Sequence, residues 1–433
     1  DVYKRQGGGF CFYAVGGGRS SRALLWGART GPDRSGAGAC CLERGCVAGM
    51  APGFPSDAYK SRVEQMQARM AQTGMSALLL TTEADVRYFT GYLTRFWESP
   101  TRPWYLVVPA SGDPIAVIPS IGAALMQTTW IADIRTWRAP DYGDDGVTLL
   151  ADTLTEITSK TGKIAVPSGN GTSLRMPLSD WGRLKGLVPD RCFADDQGIM
   201  CAQRMVKSEA EIEKIASSCR VASRAFARVP EIARSGTPLS EVFRRFQMLC
   251  LEEGADWVPY LAGGAGQGGY ADVISPASDT PLASGDVLML DTGLVCDGYF
   301  CDFDRNYSVG PPSRDTRKAH AKLIKATHAA FEIASPGARA SDLFQAMDQV
   351  VTGGRGGSDA GRLGHGLGMQ LTEPPSLISA DDTVLEPGMV LALEPGIDTG
   401  QGRIMVHEEN IVIRDTGAEW LSAPSGPDMM ELN

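Results

Sequence analysis

The chain has 433 residues with 41 Lys+Arg against 51 Asp+Glu, a formal charge of −10, and 43% hydrophobic residues. That is too long for one ordinary core and suits two domains of a globular protein. The negative balance argues against nucleic acid as a partner, and no apolar run approaches the roughly 18 residues of a membrane span.

Residues 1–49 stand apart. They hold 12 of the 51 Gly and four of the ten Cys but no Met, and they leave 34 Lys+Arg against 48 Asp+Glu in residues 50–433. The triplets Gly7-Gly8-Gly9 and Gly16-Gly17-Gly18 break any helical or alternating period. This stretch reads as an artefact of translation or assembly or as a disordered extension, with a regulatory tail as the alternative. Six cysteines then remain, Cys192, Cys201, Cys219, Cys250, Cys296 and Cys301, with no C-x-x-C pair among them. They point to free thiols in a reducing compartment, the cytoplasm.

Val63, Met66 and Met70 recur at helical spacing and predict a helix over Tyr59–Gln72, stopped by Gly74. Ala77–Leu80, Trp104–Val108, Ile115–Ile118 and Lys163–Val166 read as strands, and a helix is expected around Leu174–Leu184. Residues 57–198 therefore form an α/β domain, with a joint at 196–207. Ser208 followed by Glu211 is a capping-box pattern and opens a long helix. Further helices are expected at Ser240–Cys250, 313–334 and 341–351, alternating with β-rich stretches at 257–274, 286–310 and 387–414. The second domain spans 207–424.

Four stretches of this second domain carry chemistry. Val287, Leu288, Met289 and Leu290 lead directly into Asp291, a turn follows at Asp297-Gly298, and a second strand delivers Asp302. A surface hairpin with solvated Asp is the bland reading, but a carboxylate behind four apolar residues is costly to bury without a cation. His365, one of only four His, sits between Gly364 and Gly366, which permit close backbone approach. Glu394 ends an apolar strand before Pro395-Gly396, and His407-Glu408-Glu409-Asn410 runs into Ile411-Val412-Ile413.

In order and spacing these stretches resemble the pita-bread metallohydrolases: methionine aminopeptidase, aminopeptidase P, prolidase and creatinase. The resemblance implies an α/β creatinase-like N-terminal domain followed by an α+β pita-bread catalytic domain. It implies two divalent ions (Mn, Co, Fe or Zn) held by Asp291, Asp302, His365, Glu394 and Glu409. Glu409 is preferred to Glu408 because Glu-Asn before Ile-Val-Ile fits the family's last ligand strand. Carboxylates and imidazole without thiolates suit such ions, and Glu394 is also placed to shuttle a proton.

The pattern departs from the family's peptidases at two histidines. No His precedes His320, so Gly269–Ile274 occupies the upstream position, and Thr372 stands at the downstream one. A threonine hydroxyl donates one hydrogen bond but carries no charge. His407 stands where the prolidase branch often has Arg, as a titratable group or as a structural His bonded to a carboxylate. Trp97 and Arg102, in a Pro-punctuated loop, read either as packing or as a substrate lid in which Arg102 holds a substrate carboxylate. Gly264–Gly269 formally contains G-x-G-x-x-G, but strand-like residues follow where a helix is needed, so it reads as a loop at the site mouth. The expected function is a cytoplasmic, homodimeric metallohydrolase like an Xaa-Pro dipeptidase, acting on a dipeptide or other small C–N bonded molecule. The alternatives are creatinase-like or dimethylsulfoniopropionate-lyase-like chemistry on a small metabolite, and a catalytically weak binding module.

Overall fold

The computed structural model describes residues 53–99, 102–356 and 361–433; the reading of 1–49 lies outside them. Helix α1 (Ser56–Thr73) ends where Gly74 turns left-handed at φ 68°, the conformation that glycine adopts without a Cβ penalty. Strand β1 (Ala77–Leu80) leads into α2 (Glu83–Thr90), whose first turn is capped by the Thr82 hydroxyl accepting from Asp85 N. Strands β2 (Tyr105–Pro109) and β3 (Ile115–Pro119), helix α3 (Ala123–Met126), β4 (Asp133–Trp137), α4 (Val147–Ile157), β5 (Lys163–Val166), α5 (Leu178–Leu187) and β6 (Cys192–Asp195) follow. The six strands make one mixed sheet in the order β4-β3-β2-β1-β5-β6. Helix α5 starts four residues later than expected because Pro177 holds its entry, and a proline pushes the residue before it out of helical conformation.

The expected joint contains a helix, α6 (Ile199–Met205), and then α7 (Glu209–Ala227) begins on the anticipated capping box of Ser208 and Glu211. Helix α8 (Leu239–Glu252) precedes a sheet of β7 (Trp257–Gln267), β8 (Asp286–Cys296), β9 (Tyr299–Phe300) and β10 (Phe303–Val309), joined at its edge by the C-terminal β18 (Met430–Leu432). Helices α9 (Arg314–Ile333) and α10 (Ala340–Val351) separate it from a second sheet. That sheet comprises β11 (Gly364–Gly366), β12 (Glu373–Ser376), β13 (Val390–Leu393), β16 (Glu409–Arg414) and β17 (Gly417–Trp420), in the order β12-β11-β13-β16-β17. Strands β14 (Gly396–Gly400) and β15 (Arg403–Val406) form a separate hairpin.

The glycine-rich stretch corrects the sequence reading. Gly264 and Gly266 lie within β7, paired with Met289 and Val287 of β8, so they are strand and not a mouth loop. A Cβ on Gly264 would lie 2.8 Å from Tyr270 Cβ, so close packing of the returning chain explains that glycine.

Buried ion pairs tie the two halves together. Arg204 of α6 contacts Asp85 of α2 at 2.8 Å and also bonds Glu373 of β12, which Lys207 meets at 3.2 Å. Arg62 of α1 reaches Glu211 at 3.1 Å. The Arg87 guanidinium donates to the carbonyls of Gly298 and Met369 in the second half. The six cysteines in the described residues are free, and no helix among those residues is long and apolar enough to cross a membrane.

Candidate metal centre and active site

Strand β8 is buried along almost its whole length and carries Asp291 at its middle. The chain reverses through Asp297 and Gly298, both at positive φ (45° and 77°), as a tight hairpin turn requires. β10 then returns beside β8 with Asp304 directly opposite Asp291. Asp302 sits just before β10, and its backbone is clamped by Asn410, whose Oδ1 accepts from Asp302 N at 2.9 Å while its Nδ2 donates to Asp302 O.

His365 lies on β11, an interior strand of the second sheet, opposite Ala392 of β13. The flanking glycines have a steric cause: a Cβ on Gly364 would lie 2.1 Å from Ala392 O, and one on Gly366 would lie 2.2 Å from Pro374 O. The His365 Nδ1 proton goes to the Gly366 carbonyl at 2.8 Å, which leaves the Nε2 lone pair free, the tautomer a metal ligand needs. That Nε2 is 3.3 Å from Asp302 Oδ2 and 3.9 Å from Glu408 Oε1. Ligand atoms of Asp302, His365 and Glu408 all lie within 4.8 Å of one another, and all three residues are buried.

Glu408, and not Glu409, therefore stands in the cluster. Strand alternation gives the reason. Leu393 pairs with Glu409 and Ala392 with Asn410, and opposed residues share a face. Glu408 and Asn410 thus share the face of His365, whereas Glu409 shares that of Leu393. Glu409 is instead bonded to Arg305 at 3.1 Å, to His407 Nε2 at 3.2 Å and to Ser425 N at 2.8 Å. Burial works against its charge, but Arg305, His407 and Ser422 hold its carboxyl down at about 2.

The other expected residues divide. Asp291 adjoins the cluster: burial, then Asp302, Asp304 and Glu394, raises its carboxyl well above the usual range. Burial pushes Glu394 up to about 7, with Asp302 adding to the rise and His365 and Arg362 opposing it. Glu408 is driven well up by burial and by Asp302, Glu394, Asp291 and Asp304. Asp291 Oδ1, Asp302 Oδ1 and Glu408 Oε1 are buried without a hydrogen-bond partner. Such an anionic group is what a bound divalent cation neutralises.

His407 is not open to a substrate. Its Nδ1 meets Asp304 at 3.1 Å and its Nε2 meets Glu409, so both nitrogens are taken. Although burial opposes the charge, these two carboxylates raise it to about 9. Thr372 is exposed and accepts from Arg362 Nη2 at 3.3 Å. Trp97 is buried against Trp104 with centroids 5.7 Å apart, and Arg102 lies over Phe96 at 5.0 Å. Within one chain neither is among the residues gathered around His365. Three residues escaped the sequence reading. Asp304 meets His407 Nδ1 at 3.1 Å, Arg362 lends positive charge to Asp302 and Glu394, and Tyr260 stands near Asp291 on the neighbouring strand. Tyr260 lies on β7 two residues from Ala262, the partner of Asp291, a proximity legible only from strand register.

The sequence profile of metallopeptidase family M24 matches residues 213–415, and that of the creatinase/prolidase N-terminal domain matches residues 62–206. The chain is 31% identical over 364 residues to the "Probable dipeptidase PepE" of Mycobacterium tuberculosis, across 83% of this chain and 93% of that one. The chain belongs to metallopeptidase family M24. This M24 chain is also 26% identical to an Xaa-Pro dipeptidase of Lactobacillus delbrueckii subsp. lactis, across 77% of this chain and 89% of that one. The crystal structure of dipeptidase PepE from Mycobacterium ulcerans superposes with a TM-score of 0.75 at 27% identity, covering 88% of this chain and 99% of that one. A prolidase from Thermococcus sibiricus, 22% identical, shares the fold with a TM-score of 0.77 over 86% of this chain and 99% of that one. The M24 protein is thus a metallohydrolase with a creatinase-type N-terminal domain and a pita-bread catalytic domain, as the resemblance implied.

Proposed function

We propose that the protein is a dipeptidase of the Xaa-Pro type using two divalent ions, held by Asp291, Asp302, His365, Glu394 and Glu408. The observation that carries this reading is the group of buried carboxylate oxygens around His365 that have no hydrogen-bond partner. The substrate class is supported by the relatives, named as dipeptidases and Xaa-Pro dipeptidases. Bound divalent ions supply positive charge that polarises a carbonyl and acidifies water.

The chain's own residues do the rest. His365 keeps its Nε2 lone pair toward Asp302 and Glu408 because Nδ1 is committed to the Gly366 carbonyl. Asn410 fixes the Asp302 backbone, so this carboxylate is positioned before any ligand arrives. Glu394, directly after β13, is suited to take a proton from the attacking water and pass it to the leaving nitrogen as the C–N bond breaks.

A second reading, another small C–N bonded metabolite as substrate, is favoured by one observation. Among the described residues, the latter part of the segment that replaces the upstream histidine is turned outward: Ile274 is 81% exposed, and Asp272 caps its own loop through Ile274 N and Ser275 N, while Tyr270 stays buried. Metal analysis together with a screen of dipeptides and small amidines in Mn²⁺, Co²⁺ or Fe²⁺ decides between them. Near two ions per chain with Xaa-Pro hydrolysis is expected. Turnover confined to the amidines would establish the second reading, and neither metal nor turnover would end both.

A further inference from the structure

Asp302 and Glu408 reach the cluster from two different sheets. Strand β10 pairs with β8 and β18, and β16 pairs with β13 and β17, so the two are not ladder partners. Their carboxylates must still be held in step, because a binding constellation works only within about 0.5 Å of its proper geometry. The link between the two segments is a set of bonds from side chain to backbone.

These bonds run in antiparallel register. Asn410 Oδ1 accepts from Asp302 N at 2.9 Å, and its Nδ2 donates to Asp302 O. Two residues on, the direction of the tie reverses: Asp304 Oδ1 accepts from Glu408 N at 3.0 Å and from His407 Nδ1 at 3.1 Å. Two further on, Asn306 Nδ2 donates to Val406 O at 2.7 Å, and the Tyr270 hydroxyl accepts from Val406 N at 2.6 Å. Alternate residues of an extended chain share a face, which is why the partners step by two. Asp304 and Asn410 are 1% and 0% exposed, a setting in which such bonds are strong. Asn410 is itself fixed, since its Oδ1 also accepts from Cys219 Sγ of α7 at 3.4 Å and its backbone N donates to Ser422 Oγ at 3.0 Å.

We propose that Asp304 and Asn410 are a reciprocal pair of positioning residues that makes Asp302 and Glu408 move as one unit. Each grips the backbone of the ligand residue on the opposite segment and stands two positions beyond the ligand residue on its own. A shift at either end is therefore transmitted to the other, and the spacing of the two carboxylates is set before an ion arrives. This rests on the reading of the cluster as a metal centre and adds the device that keeps its two sheets in step.

Native-state hydrogen exchange on the full chain without added metal tests it, with the Asp302 and Glu408 amides referred to core amides of β2 so that a change in overall stability cancels. Asp304→Val removes the acceptor of Glu408 N and leaves Asn410 intact. The Asp302 amide is nonetheless expected to exchange about tenfold faster, the worth of one buried hydrogen bond. Asn410→Leu should do the same to the Glu408 amide, whose own acceptor is untouched. Asp304→Asn, which keeps an oxygen for Glu408 N, should stay near the parent. If either apolar variant does not fold, Asn410→Asp, which sets an oxygen against Asp302 O, gives the same reading at Glu408. Faster exchange confined to the amide that lost its partner overturns the proposal. Calorimetric titration with Mn²⁺ supplies a second measure. Each apolar variant should bind about 10–100-fold more weakly, and the double variant little more weakly than either, whereas independent supports would multiply. Multiplying losses overturn the linkage. A parent that binds no Mn²⁺ ends the metal reading alone, and exchange then decides the linkage.

Discussion

At the contact between the halves, Arg204 and Lys207 face Asp85 and Glu373, two cations against two anions, all buried. Around His365, the carboxyls of Asp291, Asp302, Asp304, Glu394 and Glu408 crowd together, and those of Asp291, Asp302 and Glu408 leave oxygens unpartnered. The two clusters pay for burial in different ways. In the first, Arg204 and Lys207 overcome burial and hold Glu373 down at about 2. In the second, burial and mutual repulsion drive the carboxyls up. A balanced cluster is complete within the chain, whereas an unbalanced one is built for a charge from outside.

That contrast fixes the sign of several measurements. Arg204→Ala leaves Asp85 and Glu373 without their shared cation and is expected to cost about 3–5 kcal/mol, the usual penalty for half a buried pair. Urea unfolding reads it directly; a loss below about 1 kcal/mol would mean the contact tolerates water. Next in size is an acid effect near the second cluster. His320 is lowered to about 4 by burial and by the neighbouring His407. Its folded pKa lies below the unfolded value of about 6.5, so its contribution is complete above pH 6.5 and is lost as pH falls toward 4. Replacing it in His320→Gln should flatten stability over that window by about 3 kcal/mol in total. Parallel curves for the two proteins would place the acid sensitivity elsewhere.

The smallest effect is the most discriminating. Asp302→Asn removes one of the crowded charges, so in metal-free protein at pH 8 it should raise stability by about 1–2 kcal/mol. Because burial raises the Asp302 carboxyl, the gain should shrink as pH falls and that carboxyl is neutralised in the parent. With Mn²⁺ present the order reverses: the parent should gain stability from the ion by mass action and the variant much less. A variant weaker than the parent under both conditions would make Asp302 an ordinary structural residue.

Much of this was legible in the chain. Ser208 and Glu211 marked the start of α7, and four apolar residues before Asp291 marked a buried carboxylate. Order along the chain brought Asp302, His365 and Glu394 to the same site. What failed to read out depended on register. Glu408 and Glu409 are adjacent, and only the pairing of β13 with β16 says which faces His365. Tyr260 and Arg362 have no motif, because each reaches the cluster through cross-strand or loop packing. Trp97 and Arg102 carried the composition of a binding loop; within one chain Trp97 packs on Trp104 and Arg102 lies over Phe96.

The hairpin tip at Asp297-Gly298 has a consequence for how this protein can be divided. Asp297 accepts from Gly53 N at 2.9 Å and bonds Lys214, while Gly298 offers its carbonyl to Arg87 of α2. The two strands that present Asp291 and Asp302 are therefore moored at their far end by Gly53 and Arg87 of the other half as well as by Lys214 of their own. A catalytic half excised at residue 207 would inherit a slack hairpin and a buried Glu211 stripped of Arg62. The protein is modular in its pedigree but not in its mechanics, and transplanting the N-terminal half of a relative would require those moorings to travel with it.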